Sequence, residues 1–194
     1  IMYWRISKSD NDASAQILGN QNAHSDYNLI NDPDSPTTHD RLVPKSALIT
    51  QWQTGTVGGE DHTIVLPFRN NVDISVYWGN GETENFSSTS DVSHAYTESE
   101  SGLNLVVARG DLNGWNIFNH PHFYDISGNL RNMIQLGGSA EGLRMDNESG
   151  AWRDCSAMVW SATDDPSMNG VDTMADWFMN CASFDGNLST WDTA

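Results

Sequence analysis

Two cysteines, one close pair of histidines and a few adjacent carboxylates are the side chains in this 194-residue chain with chemistry to offer. Cys155 and Cys181 lie 26 residues apart, and neither has the histidine or metal-ligand spacing of a catalytic or zinc site. The reading from their positions is two reduced, buried thiols, with a disulfide as the alternative. His120-Pro121-His122 is the one close histidine pair. It lacks a third ligand nearby in sequence, so an exposed loop is expected rather than a metal centre. Asp164-Asp165 precede Pro166, where aspartate serves turn and cap chemistry. A glycosidase needs two carboxylates across a cleft, and no such pair stands out. His94 has no nucleophile or carboxylate placed beside it by a motif, so it reads as a structural hydrogen-bonder. No catalytic constellation emerges, and a non-enzymatic protein is expected.

Composition narrows the partners. The net charge is −17, from 26 acidic and 9 basic residues. Such a surface repels phosphate backbones, so nucleic acid is not an expected partner. The acidity suits solubility in a salty or extracellular setting. It is also compatible with Ca²⁺, but no Asp-x-Asp-x-Asp-Gly loop is present, so no cofactor and no metal site are assigned. No apolar run reaches the length of a membrane span. Only 18% of residues are charged, and the abundant Asn, Ser, Thr, Gly and Asp favour turns and short strands over long helices. Asn85-Phe86-Ser87, Asn147-Glu148-Ser149 and Asn187-Leu188-Ser189 fit the glycosylation pattern, and chance accounts for three matches in so Asn- and Ser-rich a chain. Trp4, Trp52, Trp115 and Trp160 permit sugar stacking, although core positions are the expectation for most of them.

The elements that would position these groups fall into three stretches. Residues 1–46 hold a short strand at Tyr3-Trp4-Arg5-Ile6 and a polar run through Asp32-Pro33-Asp34-Ser35-Pro36, read as a linker or, alternatively, an assembly arm. The start reads as a strand joined in mid-flow, as in a processed or incomplete N-terminus. Residues 47–115 carry strand candidates at Leu48-Ile49-Thr50-Gln51-Trp52, at His62-Thr63-Ile64-Val65-Leu66-Pro67-Phe68, at Asp73-Ile74-Ser75-Val76-Tyr77-Trp78 and at Leu103-Asn104-Leu105-Val106-Val107. Their spacing and alternation predict an antiparallel sandwich. Asn80-Gly81 predicts a type I′ hairpin, whose central residues take positive φ. In residues 116–194, Trp152-x-x-Cys155-Ser156-Ala157-Met158 and Phe178-x-x-Cys181-Ala182-Ser183-Phe184 repeat one pattern 26 residues on. A fixed period of this size predicts a solenoid of stacked units. Leu130, Met133 and Leu136 fall in an earlier, irregular unit at residues 126–136.

Two resemblances rest on these residues. Trp78-Gly79-Asn80-Gly81, followed by His94-Ala95-Tyr96 and a Val-rich strand, resembles the polycystic-kidney-disease (PKD) type of immunoglobulin-like β-sandwich across residues 74–110. Val171, Met174, Phe178, Cys181, Phe184, Leu188, Trp191 and Asp192 are in register with the repeat of BspA-like leucine-rich-repeat surface proteins. That family often places a PKD-like sandwich before its first repeats, with an Ala-Thr-Asp-x-Pro stretch between the first two cysteine units, matched here by Ala162-Thr163-Asp164-Asp165-Pro166. Together the resemblances cover residues 47–194. They imply a mainly β protein, a sandwich followed by a short solenoid, with Trp152, Cys155 and Met158 as an earlier rung. No polar cap follows Trp191-Asp192, so the expectation is that the polypeptide continues beyond Ala194 or that another chain covers this end. They also imply a secreted, cell-surface or virion-surface structural or adhesion protein that contacts proteins or assembles with itself. Rival expectations are a carbohydrate- or Ca²⁺-dependent binding module, and an accessory domain of a secreted hydrolase.

Overall fold

A computed structural model of the chain describes residues 5–7, 27–31, 39–55, 62–138 and 142–191, with side chains from Lys45 onward. Trp4, the run from Asp32 to Pro36, and Asp192 lie outside the described residues. The protein is mainly β, with one α-helix among the described residues. Three N-terminal strands, β1 (Arg5–Ser7), β2 (Tyr27–Asn31) and β3 (His39–Pro44), form an antiparallel sheet in the order β1-β3-β2.

The central sheet begins where the chain turns apolar. It is built from β4 (Leu48–Gln53), β6 (Val72–Tyr77), β7 (Thr83–Thr89), β9 (Leu103–Asp111), β11 (Leu130–Gln135) and β13 (Val159–Trp160). Their spatial order is β13-β11-β4-β9-β6-β7. All its neighbours are antiparallel except β11 and β13. Successive side chains on a strand face opposite ways, and the sequence uses both faces. Leu48, Trp52, Val72, Ile74, Val76, Trp78, Val106 and Ala108 point inward. There they meet Ile64, Leu66 and Val92 of a second, two-stranded layer, β5 (Thr63–Leu66) paired with β8 (Val92–Ala95). Ala47, Ile49, Tyr77, Leu105 and Val107 form a separate buried cluster on the other face. The alternation predicted from the sequence is thus the alternation of two apolar faces, which is why these strands are so rich in Val, Ile and Leu.

The β6–β7 connection differs in detail from the predicted hairpin. Positive φ falls on Gly79 (92°) and Gly81 (103°), while Asn80 is not in the left-handed region. Trp78 N–H donates to Glu82 O at 3.1 Å and Glu82 N–H donates to Asn80 Oδ1 at 3.0 Å. The asparagine therefore closes the turn with its side chain, and the two flanking glycines absorb the unusual backbone angles.

The sheet does not stop at residue 115. Strand β4 lies between β9 and β11, so the central sheet runs on into residues 130–160. The link is β10 (Asn113–Trp115), a helical turn α1 (Phe123–Asn129) and then β11; β10 in turn pairs in parallel with β12 (Arg144–Met145). Leu130, Met133 and Leu136 are all buried in the main core.

Beyond residue 150, apart from β13, the described chain is made of turns that repeat. Cys155 N–H donates to Trp152 O and Met158 N–H to Cys155 O; 26 residues later Cys181 N–H donates to Phe178 O and Phe184 N–H to Cys181 O. Left-handed φ recurs in the same register, at Gly150 (80°) and Asp176 (58°), and at Asp154 (62°) and Asn180 (61°). Neighbouring turns are joined to each other. Gly150, Trp152 and Asp154 donate their N–H groups to the carbonyls of Ala175, Trp177 and Met179 at 2.8–2.9 Å. Side chains repeat the link: Asn147 to Asp172, Asn180 to Asp154, Thr190 to Asp165. Between the turns Trp152, Trp160, Trp177, Phe178, Phe184 and Trp191 form a continuous ring cluster, with Trp152 stacked on Phe178 at 5.1 Å and 4°. Gly186 is small because Trp160 lies there: a Cβ would come within 2.6 Å of the indole.

Candidate functional site

Two places beside the sheets gather polar and titratable groups. The first is the corner beside the β6–β7 turn, where the predicted residues Trp78, Gly79, Asn80, Gly81, His94 and Tyr96 come together. Tyr96 Oη donates to Trp78 O at 2.6 Å, tying the end of β8 to the turn. The His94 ring stacks on the Trp78 indole at 5.1 Å and 14°, and meets Tyr96 edge-on at 4.7 Å. Asn80 Nδ2 lies 3.2 Å from His94 Nε2 and 3.2 Å from Glu100 Oε1. Glu82 and Glu84 join this corner. Glu82 Oε2 is 3.7 Å from His94 Nε2, and Glu84 Oε2 is 3.5 Å from His94 Nδ1. Trp78 Nε1 donates to the same Glu84 oxygen at 2.8 Å. The sequence carried a faint sign of the glutamates, two acidic residues at i and i+2 where the turn enters β7; that they turn towards β8 is a matter of tertiary structure.

The second place is a cleft of about 450 Å³ lined by Phe68, Arg69, Ser90, Asp91, Asn119, His120, Pro121 and His122. His120-Pro121-His122, predicted to be an exposed loop, forms its rim, with His120 partly buried. His120 Nδ1 accepts the backbone N–H of His122 at 3.2 Å, which leaves the proton of the neutral imidazole on Nε2. Burial, with His122 and Arg69 close by, pulls His120 down to about 4, so it is uncharged at neutral pH. Arg69 donates to Phe118 O at 3.3 Å and lies 3.9 Å from Glu148. His122 faces Asp125 at 3.5 Å. The cleft therefore offers donors and acceptors of both kinds over the apolar floor of Phe68. Every tryptophan among the described residues is buried, so sugar stacking on an exposed indole is not available there.

The repeat positions Trp152, Cys155, Met158, Val171, Met174, Phe178, Cys181, Phe184, Leu188 and Trp191 all join the main core. The first three and Trp191 are buried, and the rest are partly so. Both cysteines are free thiols. Cys181 Sγ donates to Trp152 O at 2.9 Å. Burial pushes the Cys181 thiol up to about 11 and raises Cys155 well above the ordinary thiol range. At pH 8 the thiolate fraction of Cys181 is then about 100-fold lower than that of an unperturbed thiol. Alkylation by iodoacetamide at pH 8 should be slower than for glutathione by about tenfold or more, because the higher-pKa thiolate is the better nucleophile and offsets part of its scarcity, measured by mass spectrometry. Labelling at the glutathione rate would contradict the burial.

A Ser–His contact escaped the sequence reading: Ser101 Oγ lies 2.5 Å from His62 Nδ1, across 39 residues. Among the described residues no carboxylate orients this imidazole, and the adjacent Gly102 N–H already donates to Thr54 Oγ1. Among the described residues the contact has neither an orienting acid nor a free amide of the kind that acyl transfer uses. No family model, curated protein or solved structure matches the chain.

Proposed function

We propose that the chain is a non-enzymatic structural or adhesive module of an extracellular or cell-surface protein. In this reading a PKD-like sandwich runs into stacked leucine-rich repeats of the BspA-like kind, which present a surface to protein partners or to further copies. The observation that carries it is the 26-residue recurrence of turn hydrogen bonds and left-handed residues, joined from one turn to the next through the backbone. In such arrays a unit is too small to bury its own apolar face and relies on its neighbours. Shared burial supports this: Trp152, Cys155 and Met158 of one unit and Trp177 and Trp191 of the next are buried in one core, with Met174, Phe178, Cys181 and Phe184 partly buried against it. Tyr124 is 84% exposed, and Val159 and Met179 are also open to solvent. Exposed aromatic and Met side chains are the types enriched at protein contacts.

Beads coated with the chain should clump, or adhere to protein-coated surfaces. A Tyr124→Ser/Met179→Ser variant should reduce this by about tenfold or more at unchanged thermal stability. Wild-type beads that neither clump nor adhere would sink the proposal.

The cleft at Arg69, Asp91, Asn119 and His120 favours a second reading, a carbohydrate-binding module, because convergent polar groups over an apolar floor suit hydroxyl recognition. A glycan array separates the two. Binding that persists in chelator and disappears in Asp91→Ala supports the second, and binding lost in chelator supports a metal-dependent site elsewhere.

A further inference from the structure

We propose that the corner formed by Glu82, Glu84 and His94 is a binding site for Zn²⁺ or a closely similar transition-metal ion. One ligand atom from each of the three residues lies within 4.8 Å of the other two. Tetrahedral zinc with bonds of about 2.0–2.2 Å sets its ligands roughly 3.3 Å apart. Glu82 Oε2 stands 3.7 Å from His94 Nε2 and Glu84 Oε2 stands 3.5 Å from Nδ1, so one carboxylate must swing to the nitrogen that takes the ion. The contraction still required falls on Glu82 and Glu84, whose side chains are 62% and 43% exposed and free to adjust.

The histidine is an observation independent of the acidic side chains. Its side chain is only 6% exposed, clamped between the Trp78 face and the Tyr96 edge. Among the described residues, His94 Nδ1 makes no hydrogen bond and has only the Glu84 carboxylate before it at 3.5 Å. Nε2 meets the Asn80 amide and, further out, Glu82. A carboxylate thus faces each ring nitrogen. Trp78 Nε1 donates to the Glu84 oxygen, as outer hydrogen-bond donors orient the ligands of protein zinc sites. Neither glutamate meets a lysine or arginine among the described ion pairs, and Glu100 adds a third carboxylate beyond Asn80. The local field therefore favours a cation. An imidazole with two carboxylates selects a borderline transition metal over Ca²⁺, which prefers oxygen donors alone.

The test is a titration of the full chain with Zn²⁺ and, separately, Ca²⁺, followed by calorimetry and by the ring-nitrogen NMR shifts of the histidines. Zn²⁺ should move the ring nitrogens of His94, and Ca²⁺ should leave them in place. A Glu82→Gln/Glu84→Gln variant, altered only at exposed side chains, should weaken Zn²⁺ binding at least about tenfold. A His120→Asn/His122→Asn variant should bind as the wild type does. Zn²⁺ shifts confined to His120 and His122, equal affinity in the glutamate variant, or no heat of binding at micromolar Zn²⁺ would each overturn the site. His94→Gln is a less useful probe, because the ring also supports the packing of Trp78 and Tyr96.

Discussion

Trp152→Ala should destabilise the protein by about 4 kcal/mol, within the range of roughly 3–5 kcal/mol for a fully buried aromatic. Urea unfolding followed by circular dichroism measures it. Trp152 is fully buried and sits at the junction of the ring cluster, touching Trp160, Trp177, Phe178 and Trp191. Its backbone N–H also donates to Trp177 O, one turn further on. Removing the indole empties the space that two successive turns share, so the loss includes both the transfer of a large apolar side chain and the cavity left behind. Trp152→Phe keeps most of the stacking on Phe178 and should cost far less. A loss below about 1 kcal/mol for alanine would mean that the turns from residue 150 onward hold together without a common core.

Asp164→Ala should cost about 3 kcal/mol, by a different route. The carboxylate of Asp164 accepts the backbone N–H groups of Leu136, Gly137 and Gly138 at 2.7–3.0 Å. Gly137 and Gly138 have φ of 91° and 77°, so three successive amides curl around one anion. Deleting the acceptor leaves these donors unpaired, and hydrogen bonds to a charged group are worth about 1.5–3 kcal/mol each. Partial access of water keeps the total below the sum. Hydrogen exchange at Gly137 and Gly138 should accelerate well before global unfolding does, and unchanged exchange at both would contradict the assigned role. Asp164→Asn, with the same shape and no charge, should fall between wild type and alanine.

Asp164 also marks how far the sequence could be read. Its place before Pro166 suggested a local turn, yet its partners lie 26–28 residues back in the chain, where nothing in the neighbouring residues points to them. The same limit applies to the metal corner: the Asn-Gly signal found the turn, but the meeting of Glu84 with His94 depends on how two sheets face each other. What depended on short-range periodicity was legible. Alternating apolar residues located β4, β6 and β9, and the spacing of Cys155 and Cys181 gave the period at which turn hydrogen bonds recur. The exchange of positive φ from Asn80 to Gly79 and Gly81 was not legible, because Gly-Asn-Gly allows more than one distribution of the strain. Nor was the pairing of β4 with β11, a contact between strands about 80 residues apart.

That pairing has a mechanical consequence. Because β4 is bonded to β9 on one side and β11 on the other, one sheet joins the strands of residues 48–111 to those that lead into the repeating turns. Bending one part against the other means breaking a row of backbone hydrogen bonds together, not turning a few loose dihedral angles. A load passed along the chain is shared across that row. The joint therefore behaves as a stiff beam, fixing the direction in which its outer face is held.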